Sequence, residues 1–127
     1  MTTSEAGDQA AVRAVMERYV DAVYRADVAA LREIFHPAAA MCGYLGDKVL
    51  TGTPEPFFLD LGSRPSMQSE NAPYRWEILD LHTSGLTASL RLEETGFFGV
   101  FSFVNYFHLL SIDGEWKIGR ASCRERV

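Results

Sequence analysis

The first hydrophobic pattern along the chain has the period of a helix. Val12, Val15, Met16, Tyr19, Val20 and Val23 recur at i, i+3, i+4, i+7, i+8 and i+11, one stripe of an amphipathic helix. Ser4 or Asp8 stands where its start would be capped. Asp27 is then the N-cap of a short second helix with Leu31, Ile34 and Phe35 on its inner face, and His36-Pro37 stops it, because the residue before a proline is driven out of helical conformation. A short strand from Ala39 to Leu45 turns through Gly46-Asp47 into Lys48 to Thr51. Thr53 as cap and Pro54 at the first helical position open a third helix to about Leu61, which carries Phe57, Phe58 and Leu61. Residues 62–73, GSRPSMQSENAP, read as a loop of the length at which structureless loops often act as lids or rims.

From Tyr74 the period changes to two. Strands are expected at Tyr74 to Thr83, Leu86 to Glu94, Gly99 to Ile112 and Glu115 onward, joined by turns at Ser84-Gly85, Thr95-Gly96 and Asp113-Gly114. Helices first and an antiparallel meander afterwards define an α+β domain with its helices on one face of a curved sheet. The densest stretch is FFGVFSFVNYFHLLSIDGEWKI, from Phe97 to Ile118. Asn105 sits in its middle and by alternation shares a face with Phe101, Phe103, Phe107 and Leu109. The opposite face carries Val100, Val104, Tyr106 and Leu110, more apolar than a solvated face would be, which suggests a homodimer packed sheet to sheet.

Composition narrows the class. A chain of 127 residues, 47% apolar and 23% charged, is one ordinary globular domain. There is no membrane-length apolar run and no signal-peptide pattern, so a cytoplasmic protein is expected. The net charge of -5, with no basic cluster before the last eight residues, argues against a nucleic-acid surface. Cys42 and Cys123 form neither a disulfide framework nor a metal-ligand spacing. Neither metal nor cofactor is expected. The last ten residues, IGRASCRERV, lack strand alternation and resemble the conceptual translation of a sequencing adapter. The domain is accordingly placed at 1–118, with 119–127 a non-native tail whose first residues extend the last strand.

The stretch ERYVDAVYRADVAALREIFHPAAAMCG, with the hairpin NYFHLLSIDGEWKI, resembles the nuclear transport factor 2-like superfamily, and within it the group called SnoaL-like or putative lumazine-binding proteins. The resemblance implies a cone-shaped α+β barrel: three N-terminal helices packed on a curved antiparallel sheet that encloses a pocket, usually dimeric through the outer face of the sheet. The superfamily includes ketosteroid isomerases, polyketide cyclases, dehydratases, epoxide hydrolases and proteins that only bind. Alignment with the isomerase branch puts Tyr19 at the oxyanion-hole tyrosine and Asn105 at the oxyanion-hole acid. The general-base position falls on Gly43, which has no side chain to take a proton.

Each candidate has a structural and a functional reading. Tyr19 either packs in the core or donates its hydroxyl to a ligand. Asn105, whose amide would cost about 1 to 3 kcal/mol if left unpaired, is satisfied by Tyr19, by the backbone or by a ligand. Asp60 is an exposed helix charge or, if its face turns inward, a replacement base, a role for which His82 is the other candidate. His108 points outward to a surface or interface, and His36 is structural or solvated. Trp76 and Trp116 are read as core. Met16, Phe57, Phe58, Trp76, Phe101, Phe103 and Phe107 would line the pocket with Tyr19 and Asn105.

These residues leave two functions of different class. One is a non-catalytic protein binding a small, mostly apolar or aromatic molecule with one polar group held by Tyr19 and Asn105. The other is a cofactor-independent isomerase, cyclase or lyase using the same pair with an unassigned base. A buried carboxylate or imidazole within reach of that pair would favour the enzyme. A protein-binding adaptor with a filled cone is a third possibility.

Overall fold

The structure is a computed structural model in which residues 5–45 and 47–126 are described. Ser4 and Gly46, expected at a helix cap and a turn, lie outside them. Helix α1 (Glu5–Arg25) buries Val12, Val15, Met16, Tyr19, Val20 and Val23, the whole of the sequence stripe. Asp8 lies in its first turn rather than at its cap. Ala26, in the left-handed region at φ 55°, turns the chain into α2 (Val28–Ile34), and the Asp27 carboxylate caps that helix by accepting the Ala30 N–H at 3.1 Å. After β1 (Phe35–Leu45) and β2 (Lys48–Leu50), α3 (Glu55–Gly62) starts one residue later than the Thr53-Pro54 pattern predicts. Pro54 is itself the cap, and Thr53 Oγ1 accepts the Glu55 N–H at 3.4 Å.

The meander follows as β3 (Arg75–Ser84), β4 (Thr87–Phe97), β5 (Phe101–Ile112) and β6 (Glu115–Arg126). All six strands form one sheet in the order β2-β1-β6-β5-β4-β3. The sheet is antiparallel as expected except where β1 meets β6, which is a parallel pair. The reason is topological: β1 precedes the meander and pairs with its last strand, so the whole of β3 to β5 forms the crossover. Helices cover one face of the sheet, and the core lies between α1 and the inward residues of β4, β5 and β6. No helix among the described residues is long and apolar enough to cross a membrane.

Two bulges displace the pattern read from sequence. Thr95-Gly96 is not the β4–β5 turn. Gly96, at φ 65°, is an extra residue in β4, between the Glu94↔Phe103 and Phe97↔Phe101 pairs. The turn itself is Phe98-Gly99-Val100, with Phe98 at φ 48° and Gly99 at φ 84°. In β6 the extra residue is Gly119, since Leu109 pairs with Ile118 and His108 with Arg120. Ile118 and Ala121, three apart, therefore both face inward and are fully buried. This bulge is why the tail shows no alternation. Residues 119–126 nevertheless extend the last strand, hydrogen-bonded to β5 on one side and to β1 on the other through Tyr44↔Arg124. The long loop is tied down as well: Met67 is fully buried, and the Gln68 N–H bonds the Tyr24 carbonyl at 3.0 Å.

Candidate functional site

The inner face of the sheet is apolar except at two adjacent points. Alternation along β5 turns Phe103, Asn105, Phe107 and Leu109 inward, and along β4 it turns Ala88, Leu90, Leu92 and Glu94 inward. Asn105 pairs in register with Leu92 on one side and Cys123 on the other, while Glu94 pairs with Phe103. Asn105 is 3% exposed and Glu94 2%. The Asn105 amide donates from Nδ2 to Glu94 Oε2, and the Tyr74 hydroxyl donates to Glu94 Oε1 at 2.5 Å. Tyr19 reaches the same region from α1, its ring edge-on to Phe107 at 5.1 Å and tilted against Phe35 at 6.1 Å.

The partner of the Asn105 amide is thus a carboxylate and not Tyr19 or the backbone. That has a consequence for the other end of the amide. While Glu94 is ionised it only accepts hydrogen bonds, and Asn105 then turns Nδ2 toward it and Oδ1 away. Oδ1 is buried and has no hydrogen-bond partner. Burial pushes the Glu94 carboxyl up to about 7, and the bonds from Tyr74 and Asn105 only partly offset the desolvation of its charge. Burial first, then the Glu94 charge, raises the Tyr19 and Tyr74 phenols well above their ordinary value. Both tyrosines are neutral O–H groups. Burial likewise pushes the Cys123 thiol up to about 12, so it is no nucleophile at neutral pH.

Other expected site residues divide. Met16, Phe58 and Phe107 are buried in one core with Tyr19, Phe103 is buried apart from it against Phe97 and Phe101, and Phe57 is half-buried beside Phe58. Trp76 is not a core residue: it is 39% exposed, because β3 is an edge strand and its indole lies in a surface groove against α1. Phe101, expected inside with Phe103, is also 39% exposed at the rim, where β5 emerges from the β4–β5 turn. Trp116 is half-buried and packs on the core as expected. Asp60 is not a base for this site. It lies on the solvent side of α3, opposite the buried Phe58 and Leu61, in an ion pair with Arg64 at 2.7 Å. His82 is exposed on the outer face of the sheet in register with Ser89, which in turn pairs with His108. At Gly43, a Cβ would lie 2.0 Å from the Cys123 carbonyl oxygen, so the β1–β6 pairing leaves no room for a side chain.

Glu94 is the site residue that the sequence reading missed. The signal was the run Leu90-x-Leu92-x-Glu94, which places the carboxylate on the buried face. The false turn at Thr95-Gly96 hid it, by making Glu94 the last residue of a strand.

Three helices closed over a curved, mostly antiparallel six-stranded sheet, with polar groups grouped on its inner face, define a nuclear transport factor 2-like fold. The chain belongs to the family described as "Putative lumazine-binding", which it matches over residues 7–122. Solved structures agree in fold. A nuclear transport factor 2-like protein of unknown function from Methylobacillus flagellatus KT is similar at 21% identity and TM-score 0.88, over 99% of this chain and 98% of that one. One from Silicibacter pomeroyi DSS-3 is 25% identical at TM-score 0.85, over 98% and 100%. A ketosteroid isomerase-like protein from Erwinia carotovora atroseptica is 20% identical at TM-score 0.68, over 94% and 97%. No curated protein matches the sequence.

Proposed function

We propose that this protein binds a small, mostly apolar or aromatic molecule through the inner face of the sheet, and that the ligand presents a hydrogen-bond donor to Asn105. The observation that carries the reading is the buried Asn105 Oδ1 with no partner. An N–H or O–H on the ligand would recover about 1 to 3 kcal/mol otherwise lost to desolvation of that oxygen. Tyr19, Phe103 and Phe107 supply the apolar surround, and the Tyr19 hydroxyl a second polar contact. Lumazine, a flat heteroaromatic dione with ring N–H groups, has this chemistry and is a rational first probe. Native mass spectrometry of the purified protein tests the reading. A co-purified small molecule, or titrated lumazine, should be retained by the unmodified chain and lost in Asn105→Leu. Equal retention by a folded Asn105→Leu variant would remove Asn105 from the site.

Glu94 favours a second reading, a cofactor-independent isomerase, cyclase or lyase. A carboxyl pushed up to about 7 is matched to proton transfer at neutral pH, and it replaces Asp60 and His82 as the candidate base. The Tyr19 hydroxyl would then hold the oxygen on which charge develops, since the Asn105 amide N–H is already given to Glu94. For the identified ligand in deuterium oxide, this reading predicts exchange of a carbon-bound hydrogen next to a carbonyl, abolished in Glu94→Gln. Retention of the ligand without exchange would leave binding as the function. In either reading the protein is proposed to act as a homodimer joined through the outer face of the sheet.

A further inference from the structure

A second feature lies outside the inner face, between α1 and the edge strand β3. Glu17, Val20, Asp21 and Tyr24 occupy i, i+3, i+4 and i+7 of α1, one face of that helix turned toward the strand. With Tyr74 and Trp76 they line a groove of about 410 Å³. Tyr24 and Tyr74 stack with their planes 16° apart and centroids at 5.9 Å, which fixes both rings as one wall. Trp76 stands two residues beyond Tyr74, on the same side of the chain by strand alternation, with more than a third of its surface in solvent. The remaining polar lining is two carboxylates. Asp21 shares its charge with Arg25 at a long 3.4 Å, and both of those side chains are largely exposed.

We infer that this groove is a binding site for a small organic cation of the quaternary or methylated ammonium class. The Trp76 indole and the Tyr24–Tyr74 stack, whose facing surfaces are turned to each other, line the groove with π-systems, and Glu17 and Asp21 add charge of the matching sign. An anion would be repelled there. A neutral apolar group would gain the ring contacts but nothing from the carboxylates. The site does not depend on the reading of Asn105, although Tyr74 joins the two: its ring lines the groove while its hydroxyl holds Glu94.

The experiment is a titration of the unmodified protein with choline, followed by the shift of the Trp76 indole N–H resonance, against tert-butyl alcohol as a neutral probe of similar shape. Choline should shift the resonance saturably, and tert-butyl alcohol should not do so at the same concentrations. Binding should weaken about fivefold or more in Trp76→Ala, less in Trp76→Phe, and should weaken with added salt in proportion to the roles of Glu17 and Asp21. The double variant Glu17→Gln, Asp21→Asn leaves the rings in place and should show the same loss without the salt dependence. Equal binding of choline and tert-butyl alcohol would reduce the groove to an apolar crevice and overturn the assignment. Absence of a saturable choline shift in the unmodified protein would overturn it as well.

Discussion

Glu94, held by Tyr74 and Asn105, ties the stability of the fold to the proposed site. Its carboxyl is pushed up to about 7 from an ordinary 4.5, chiefly by burial. The folded state therefore holds a proton that the unfolded state has released between those two values. The contribution of this group to stability is complete below about 4.5 and is lost as pH rises through about 7, a decline of roughly 3 kcal/mol. Denaturant midpoints measured from pH 5 to 8 should fall over that window in the unmodified protein and stay flat in Glu94→Gln. A parallel decline in the variant would assign the pH dependence to another group. The same substitution should invert the hydrogen-bonding sense of the site. A glutamine can accept from Tyr74 with its oxygen and donate to Asn105 Oδ1, so the asparagine amide turns and offers donors inward. Ligands that present an acceptor should then bind better than ligands that present a donor. Competition between a matched pair of such ligands measures the reversal.

At the scale of elements, what the sequence disclosed was whatever depends on local periodicity. The α1 stripe, the Asp27 cap and the inward face of β5 follow from spacing and from single-residue chemistry, and each stands where the pattern puts it. Tyr19 and Asn105 were legible for the same reason. What was hidden depended on one added residue in a strand, because a bulge at Gly96 or Gly119 interrupts the alternation by which a strand is followed along the chain. Glu94 was hidden because the first of these passed for a turn, and the second breaks the alternation of a tail that was nonetheless expected to extend the last strand. Solvent exposure at an edge, which moved Trp76 and Phe101 out of the core, depends on strand order and is not written in either strand alone. The Gly96 bulge has a test of its own. A Cβ there would lie 2.1 Å from the Pro73 carbonyl oxygen as well as requiring a left-handed backbone at φ 65°. Gly99, at φ 84°, has nothing within 4 Å of such a Cβ. Gly99→Ala should cost about 1 to 2 kcal/mol, the ordinary price of the left-handed region. Gly96→Ala should cost clearly more in a denaturant titration, because the Pro73 carbonyl stands where the added methyl would go. Equal costs would mean that the strand yields easily at this point.

For the molecule as a whole, the proposed homodimer makes specific demands on the outer face of the sheet. Tyr106 and Leu110 on β5 are solvent-exposed, as are Tyr44 on β1 and Val49 on β2. On the β6 side of β5 stand Arg120 and Arg124, paired in register with His108 and Val104. On the other side stand Glu93, opposite Val104, and Glu77, opposite Glu93, while Arg91, opposite Tyr106, has its charge taken up by Asp80 at 2.7 Å. A twofold axis near Tyr106 would superpose the apolar centres of two copies and bring the arginine side of each over the glutamate side of the other, which is the self-complementarity an isologous interface requires. Light scattering at micromolar concentration should therefore give twice the 14.2 kDa of one chain. Tyr106→Glu puts a charge at the proposed centre, facing outward and away from the core, and should yield a folded monomer. Raising the salt should weaken the dimer of the unmodified chain, because the flanking charges lie at the solvated rim. The two responses separate the parts of the interface: loss with Tyr106→Glu but indifference to salt would leave the apolar centre as the whole of the attraction, and a monomeric unmodified chain would refute the arrangement.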